Sequence, residues 1–212
     1  MLTLVIGNYN LSSWSLRPWL VLETFGIPFA TVRIELEGPH RKSPAVKAAI
    51  LARSPSGHVP ALEHDGLTIW DSLAICEHLA ETFGDRHLWP RDKAARAIAR
   101  SVSAEMHSSF SAMRNVLWMN FRATTPLAEL TGDVAADVGR VQDIWRGCRR
   151  DYGGAGPFLF GEFSIADAMF APVVSRFTTY AVRVDEVCRR YMDDVWALPA
   201  MQKWLGLARQ EP

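Results

Sequence analysis

Apolar and polar positions follow two periods along this chain, and the change between them divides it. Leu2–Ile6 alternates β-branched and apolar residues and reads as a short strand. Over residues 13–25, Leu16, Trp19, Leu20 and Leu22 fall at helical spacing. Pro18 lacks an N–H and suits the first turn of that helix, which places its start close to Ser15. Gly26 ends the helix and Pro28 blocks its continuation. Residues 31–34 read as a second strand, and residues 38–57 as an irregular loop with a short helix after Ser43-Pro44. Residues 60–63 and Leu67–Trp70 flank His64-Asp65-Gly66, a hairpin turn. Asp71-Ser72 opens a helix whose apolar face holds Leu73, Cys76 and Leu79 or Ala80.

The order is thus β-α-β-loop-β-β-α, with a right-handed βαβ unit. After Gly84 the pattern changes. From Asp92 onward it is helical, broken at residues 124–126, 153–161 and 198–199. The expected organisation is an α+β domain over residues 1–82, a linker at 83–92 and an all-α domain over 93–212. No internal repeat is visible.

Composition narrows the function classes. At 212 residues, 49% of them hydrophobic, the chain suits two soluble domains. Lys plus Arg equal Asp plus Glu at 23 each, which leaves no electrostatic footprint for nucleic acid or an anionic membrane. No apolar run nears the roughly 20 residues that cross a bilayer. MLTLVIGNYN lacks the basic start of a secretory signal. Cys76, Cys148 and Cys188 are odd in number and form no CxxC pair, so neither a disulfide framework nor zinc is expected, and a reducing cytoplasm is. The six histidines show no metal-ligand spacing, and no metal is expected.

Three segments carry chemistry. Ser12-Ser13-Trp14-Ser15 lies between the first strand and the first helix, where unpaired N–H groups favour an anion. Ser12 and Ser15 repeat the CxxC spacing without sulfur. Their hydroxyls can donate to a thiolate that arrives with a ligand; as helix caps they would serve structure alone. In Gly57-His58-Val59-Pro60 a proline precedes a strand. A cis bond there would leave the Val59 backbone free to pair with an extended peptide, whereas a trans bond would make Pro60 an ordinary strand initiator. Trp70-Asp71-Ser72 runs a strand into a helix start: Ser72 adds a donor for an anion and Asp71 an acceptor for an ammonium, or either is simply an N-cap.

In this order and spacing the three segments resemble the glutathione transferase family. SSWSLRP (Ser12 to Pro18) is similar to the serine motif of the zeta class, with Trp14 where that motif has cysteine. GHVPAL (Gly57 to Leu62) is similar to the cis-proline segment, and WDSLAICEHL (Trp70 to Leu79) to the acid-serine helix. FSIADA (Phe163 to Ala168) resembles the family's capping-box helix, closed here by Asp167. Residues 104–110 look like the matching helix of the bacterial beta class. Serine-type bacterial transferases are the nearest group.

The resemblance implies an N-terminal thioredoxin-like domain that binds glutathione as co-substrate, a helical C-terminal domain, and a homodimer active in detoxification. It implies that Ser12, with Ser13 as close competitor, donates to the glutathione sulfur. Val59 would pair with the cysteinyl part beside a cis Pro60, and Asp71 and Ser72 would hold the γ-glutamyl end. His58, His40 or Lys42 would reach the glycyl carboxylate, and His107 would lie near the sulfur. A small electrophile would meet Trp14, Met106, Phe110, Met113 and Arg114, with Trp118 more distant; a Met and aromatic stripe of this kind is also what a helix core looks like. The other function weighed is a non-catalytic interaction module on the same fold. A glutaredoxin-like oxidoreductase lacks its cysteine.

Overall fold

The computed structural model describes residues 1–38 and 43–212. Its elements run β1 (Leu2–Ile6), α1 (Ser13–Thr24), β2 (Phe29–Arg33), α2 (Pro44–Leu51), β3 (Ala61–His64), β4 (Leu67–Trp70) and α3 (Ser72–Thr82). A 3-10 turn at Gly84–Arg86 leads to α4 (Lys93–Ser108), α5 (Ser111–Val116), α6 (Gly132–Tyr152), α7 (Ile165–Thr179), α8 (Glu186–Ala197) and α9 (Pro199–Gln210). The first part is therefore a sheet with helices and the second is helical, as the periodicity foretold.

The four strands form one sheet in the order β2-β1-β3-β4. β1 and β2 are parallel, with Leu2 opposite Phe29 and Ile6 opposite Arg33, while β3 runs antiparallel to both β1 and β4. β1 sits in the middle, and Leu4, Val5 and Ile6 are fully buried. Asp65 and Gly66, both at positive φ (49° and 85°), turn β3 into β4 as a two-residue hairpin.

Several boundaries differ from expectation: β3 takes in His64, and the helical part also breaks at residues 109–110 and 180–185. α1 begins at Ser13, two residues before the position that Pro18 suggested, so Pro18 lies in its second turn. The Ser12 carbonyl already accepts the Leu16 N–H at 3.2 Å, so helical bonding is under way before the proline removes one later bond. Burial of Leu16, Trp19 and Leu20 offsets that loss. β2 begins at Phe29 rather than residue 31, because the parallel register with β1 starts there.

α7 holds the helical part together. Each of its residues is buried except Thr178, and it packs against α1, α4 and α8. Asp167 closes the capping box at its start: Oδ2 accepts the Ser164 N–H (2.9 Å) and O–H (3.1 Å), and Oδ1 accepts the Leu159 N–H (3.0 Å). Burial pushes its carboxyl pKa up to about 6 against these bonds. Because α7 also lies on α1, the two parts share one interface beside the first candidate segment.

Candidate functional site

Two helix N-termini meet at a cavity of about 260 Å³. Trp14 of α1, Val59-Pro60, Asp71-Ser72 at the start of α3, and His107 of α4 line it, together with Ser56, His58 and Trp70. The Val59-Pro60 peptide is cis. Asp71, at positive φ (75°), caps α3: its Oδ1 accepts the N–H groups of Leu73 (2.9 Å) and Ala74 (3.2 Å). Ser72 itself is buried, with its hydroxyl 3.4 Å from Arg17 Nη1.

His107 bridges the two parts of the molecule. Its Nε2 lies 2.5 Å from Asp71 Oδ2, and its ring meets the Trp14 indole edge-on at 5.3 Å. Burial raises the Asp71 carboxyl, but the His107 and backbone hydrogen bonds outweigh it and leave the pKa below the ordinary range. Both Asp71 oxygens thus have partners, one on its own helix and one on α4.

Ser12 and Ser13, next to Trp14 in the chain, are not among the residues lining the cavity, and both are almost fully buried. Ser12 occupies the N-cap position of α1, but its hydroxyl does not cap the helix; it meets the Ser15 hydroxyl at 2.7 Å. Ser13 accepts from Arg176 Nη2 at 3.2 Å, across the interface with α7. The loop before them is tied to the far end of the chain. Glu211 accepts the N–H groups of Tyr9 (2.7 Å) and Asn10 (2.9 Å), and Trp204 Nε1 donates to the Tyr9 carbonyl (2.7 Å).

Three arginines surround Trp14 and Ser13. The guanidinium carbons of Arg17 and Arg114 stand 4.2 and 4.9 Å from the Trp14 ring centroid. Arg17 is fully buried, and among the described residues its Nε and Nη2 have no partner. Burial, then Arg114 and Arg176, drive its pKa well below the usual value. Burial brings Arg114 down to about 10 and Arg176 to about 9. Three guanidinium groups thus cluster around Trp14 and Ser13, each made less basic by its burial.

The structure brings Trp14, His58, Val59, Pro60, Asp71, Ser72 and His107 to one cavity, which Ser12 and Ser13 do not line. Met106, Phe110 and Met113 do not reach it. They are at most 4% exposed and belong to the core between α4, α5 and the neighbouring helices. Their spacing marks a buried helix face, and of the residues expected to meet an electrophile Trp14 alone lines this cavity among the described residues. Arg114 also turns back to cap the end of α4, donating to the carbonyls of Ser109 and Met106. Trp118 is half-buried, packed against the core. His40 and Lys42 fall outside the described residues.

Arg17, Arg176, Ser56 and Trp70 received no role from the sequence, although Arg17 and Trp70 stand in its motifs. Arg17 stands two residues after the first segment, where its burial has no local signal, and Arg176 approaches Ser13 from 163 residues away. Among the described residues, no group of three or more His, Cys, Asp or Glu is placed to hold a metal, and no helix is long and apolar enough to cross a membrane.

Comparison with known proteins assigns this geometry to a family. Models of the glutathione S-transferase N-terminal and C-terminal domains match residues 11–82 and 124–206. Maleylacetoacetate isomerase of Rattus norvegicus is 36% identical over 114 residues, 53% of this chain and 51% of that protein. A glutathione S-transferase of Arabidopsis thaliana is 23% identical over 190 residues, covering 89% of this chain and 70% of the relative. The first of these matches thus spans about half of the relative's length. A Burkholderia glutathione transferase homolog solved with bound glutathione superposes with a TM-score of 0.72 at 23% identity, covering 100% of this chain and 99% of that one. A theta class enzyme of Xanthomonas axonopodis, also with glutathione bound, gives 0.67 at 23% identity over 96% of both chains. At such identity these two likenesses speak for the fold. With both domain models matched in order over most of its length, the chain belongs to the glutathione S-transferase family.

Proposed function

We propose that this chain binds glutathione in the cavity at Val59 and Ser72, ionises its thiol at the start of α1, and delivers the thiolate to a small electrophile. The observation that carries this reading is the convergence of the α1 and α3 N-termini on one cavity together with Val59-Pro60. Two such termini suit a ligand with an anionic group at each end. Ser72 and the α3 N–H groups take the γ-glutamyl carboxylate, and Asp71 takes the ammonium in competition with His107. Val59 offers its backbone to the cysteinyl part, and His58, which lines the same cavity, takes the glycyl carboxylate.

Energetics suffice without a metal. A free thiol, with pKa of about 8.5, is mostly protonated at neutral pH. Lowering that by about two units takes roughly 2.7 kcal/mol. One hydrogen bond to the anion supplies about 1.5–3 kcal/mol and a helix N-terminus about 0.3–1. The proton leaves to solvent, and the sulfur lone pair forms the new bond to carbon as a leaving group departs or a proton is taken up. Isomerisation and peroxide reduction would begin from the same thiolate.

The reading includes a homodimer in the cytoplasm, in a detoxifying role. Leu67 and Trp70 of edge strand β4 and Ile98 of α4 are exposed apolar side chains available to a second copy, which sedimentation would reveal. The test of activity is glutathione conjugation to a chlorodinitrobenzene. Ser12→Ala should lower the rate about 10- to 100-fold through lost thiolate; an unchanged rate would refute the role given to Ser12.

A further inference from the structure

The hydroxyl pair of Ser12 and Ser15 could donate either way, and its surroundings favour one direction. Ser15 Oγ accepts the Gly7 N–H at 3.1 Å, at the end of β1, and meets Ser12 Oγ at 2.7 Å. Ser15 is fully buried, and among the described residues Ser12 is the one acceptor within reach of its proton. Were Ser12 the donor, the Ser15 proton would be left buried without a partner, an arrangement that folded proteins avoid. Were Ser15 the donor, each of its groups is satisfied, and the Ser12 proton is released for another acceptor. Ser12 retains a small exposed area, and Ser15 none.

From this we infer that Ser15 is a positioning residue for the proposed reaction: it donates to Ser12 and thereby aims the Ser12 proton at the glutathione sulfur. The inference rests on the reading that Ser12 contacts that sulfur, and goes beyond it by assigning a second hydroxyl and a direction. Gly7 N–H, Ser15 and Ser12 form a chain of donors ending at the thiolate. Each bond in such a chain polarises the next, so the last donor is stronger than an isolated serine. Gly7 is part of the device. A Cβ there would stand 2.6 Å from Leu36 Cδ1 and 3.1 Å from Ser12 Cβ, so a larger residue would displace the Leu36 side chain and press on Ser12. No bond is made or broken by Ser15; its proton stays on its own oxygen throughout.

The test is the acidity of the bound thiol, read from thiolate absorbance near the far ultraviolet as glutathione-saturated protein is titrated with base. Wild type, Ser15→Ala, Ser15→Thr and Ser12→Ala are compared, with glutathione affinity measured for each. Ser15→Ala should lower the acid dissociation constant of the bound thiol about two- to fivefold, leave affinity within about twofold, and depress kcat rather than raise KM. Ser15→Thr, which keeps the hydroxyl, should restore the wild-type titration. If Ser15→Ala does not fold, Ser15→Cys, close in size and a weak donor, should show the same direction of change. A wild-type thiol titration in Ser15→Ala or Ser15→Cys, with Ser12→Ala clearly weakened, overturns the role of Ser15 and leaves the Ser12 reading standing. An unchanged titration in Ser12→Ala would instead overturn the Ser12 reading first.

Discussion

Replacing Glu211 by alanine should loosen the loop that leads to Ser12, although the two residues are about as far apart as this sequence allows. The Glu211 side chain is 3% exposed and its carboxylate holds three donors: the Tyr9 and Asn10 N–H groups at 2.7 and 2.9 Å, and Arg33 Nη1 at 3.0 Å. Arg33 is about one-third exposed and regains water when its partner is lost, so its share of the loss is small. The Asn10 N–H is buried and has no such recourse, and the half-buried Tyr9 N–H regains water only in part. Leaving a buried donor unpaired costs about 1–3 kcal/mol. With the lost charge-assisted bonds, the expected destabilisation is about 2–4 kcal/mol. Urea unfolding of the wild type and Glu211→Ala measures it directly. Glu211→Gln, which keeps one acceptor, should fall between them. Because Asn8 and Asn10 lead straight into Ser12, kcat should fall in Glu211→Ala even under conditions where the protein remains folded. A loss of stability under about 0.5 kcal/mol would refute the claim that this carboxylate clamps the loop.

The remaining expectations concern other parts of the site and its support. The Asp167 carboxyl has a folded pKa raised to about 6 from an ordinary 3.8, so its contribution is full below pH 4 and lost as pH rises through 6. That loss is about 3 kcal/mol by linkage, and Asp167→Asn should remove this slope from stability measured between pH 4 and 7, while being less stable for want of two good acceptors. His107→Ala removes a hydrogen bond that lowers the Asp71 pKa, so the acid limb of glutathione affinity should move to higher pH, as titration of affinity against pH will show. Gly7→Ala should lower conjugation activity more than Gly206→Ala, where an added Cβ meets nothing within 4 Å; equal effects would count against the close approach at Ser12.

Much of this architecture is legible in the sequence because it is local. Leu2–Ile6, the Asp65-Gly66 turn and the Ser164–Asp167 box each carry their signal within a few residues, and each forms as read. The segment from Val59 to Ser72 is less legible: Val59-Pro60 alone leaves cis and trans open, Asp71-Ser72 reads equally as an N-cap, and it is the family resemblance that points to the cis bond the structure shows. What escaped was set by distant packing. Met106, Phe110 and Met113 share a helical spacing that serves a core as readily as a pocket, and only the neighbouring helices decide which. Arg176 and Glu211 act on residues 163 and 201 or 202 positions away. Pro18 misplaced the start of α1 because a proline penalty is modest against the burial of Leu16, Trp19 and Leu20.

Glutathione binding itself bears most directly on the central claim, measured by titration calorimetry on the wild type and on Ser72→Ala. Dissociation constants from micromolar to low millimolar for the wild type, weakened clearly by loss of the Ser72 hydroxyl at the start of α3, are the expected result. No detectable heat of binding with the wild-type protein would contradict the site, and with it the transferase reading.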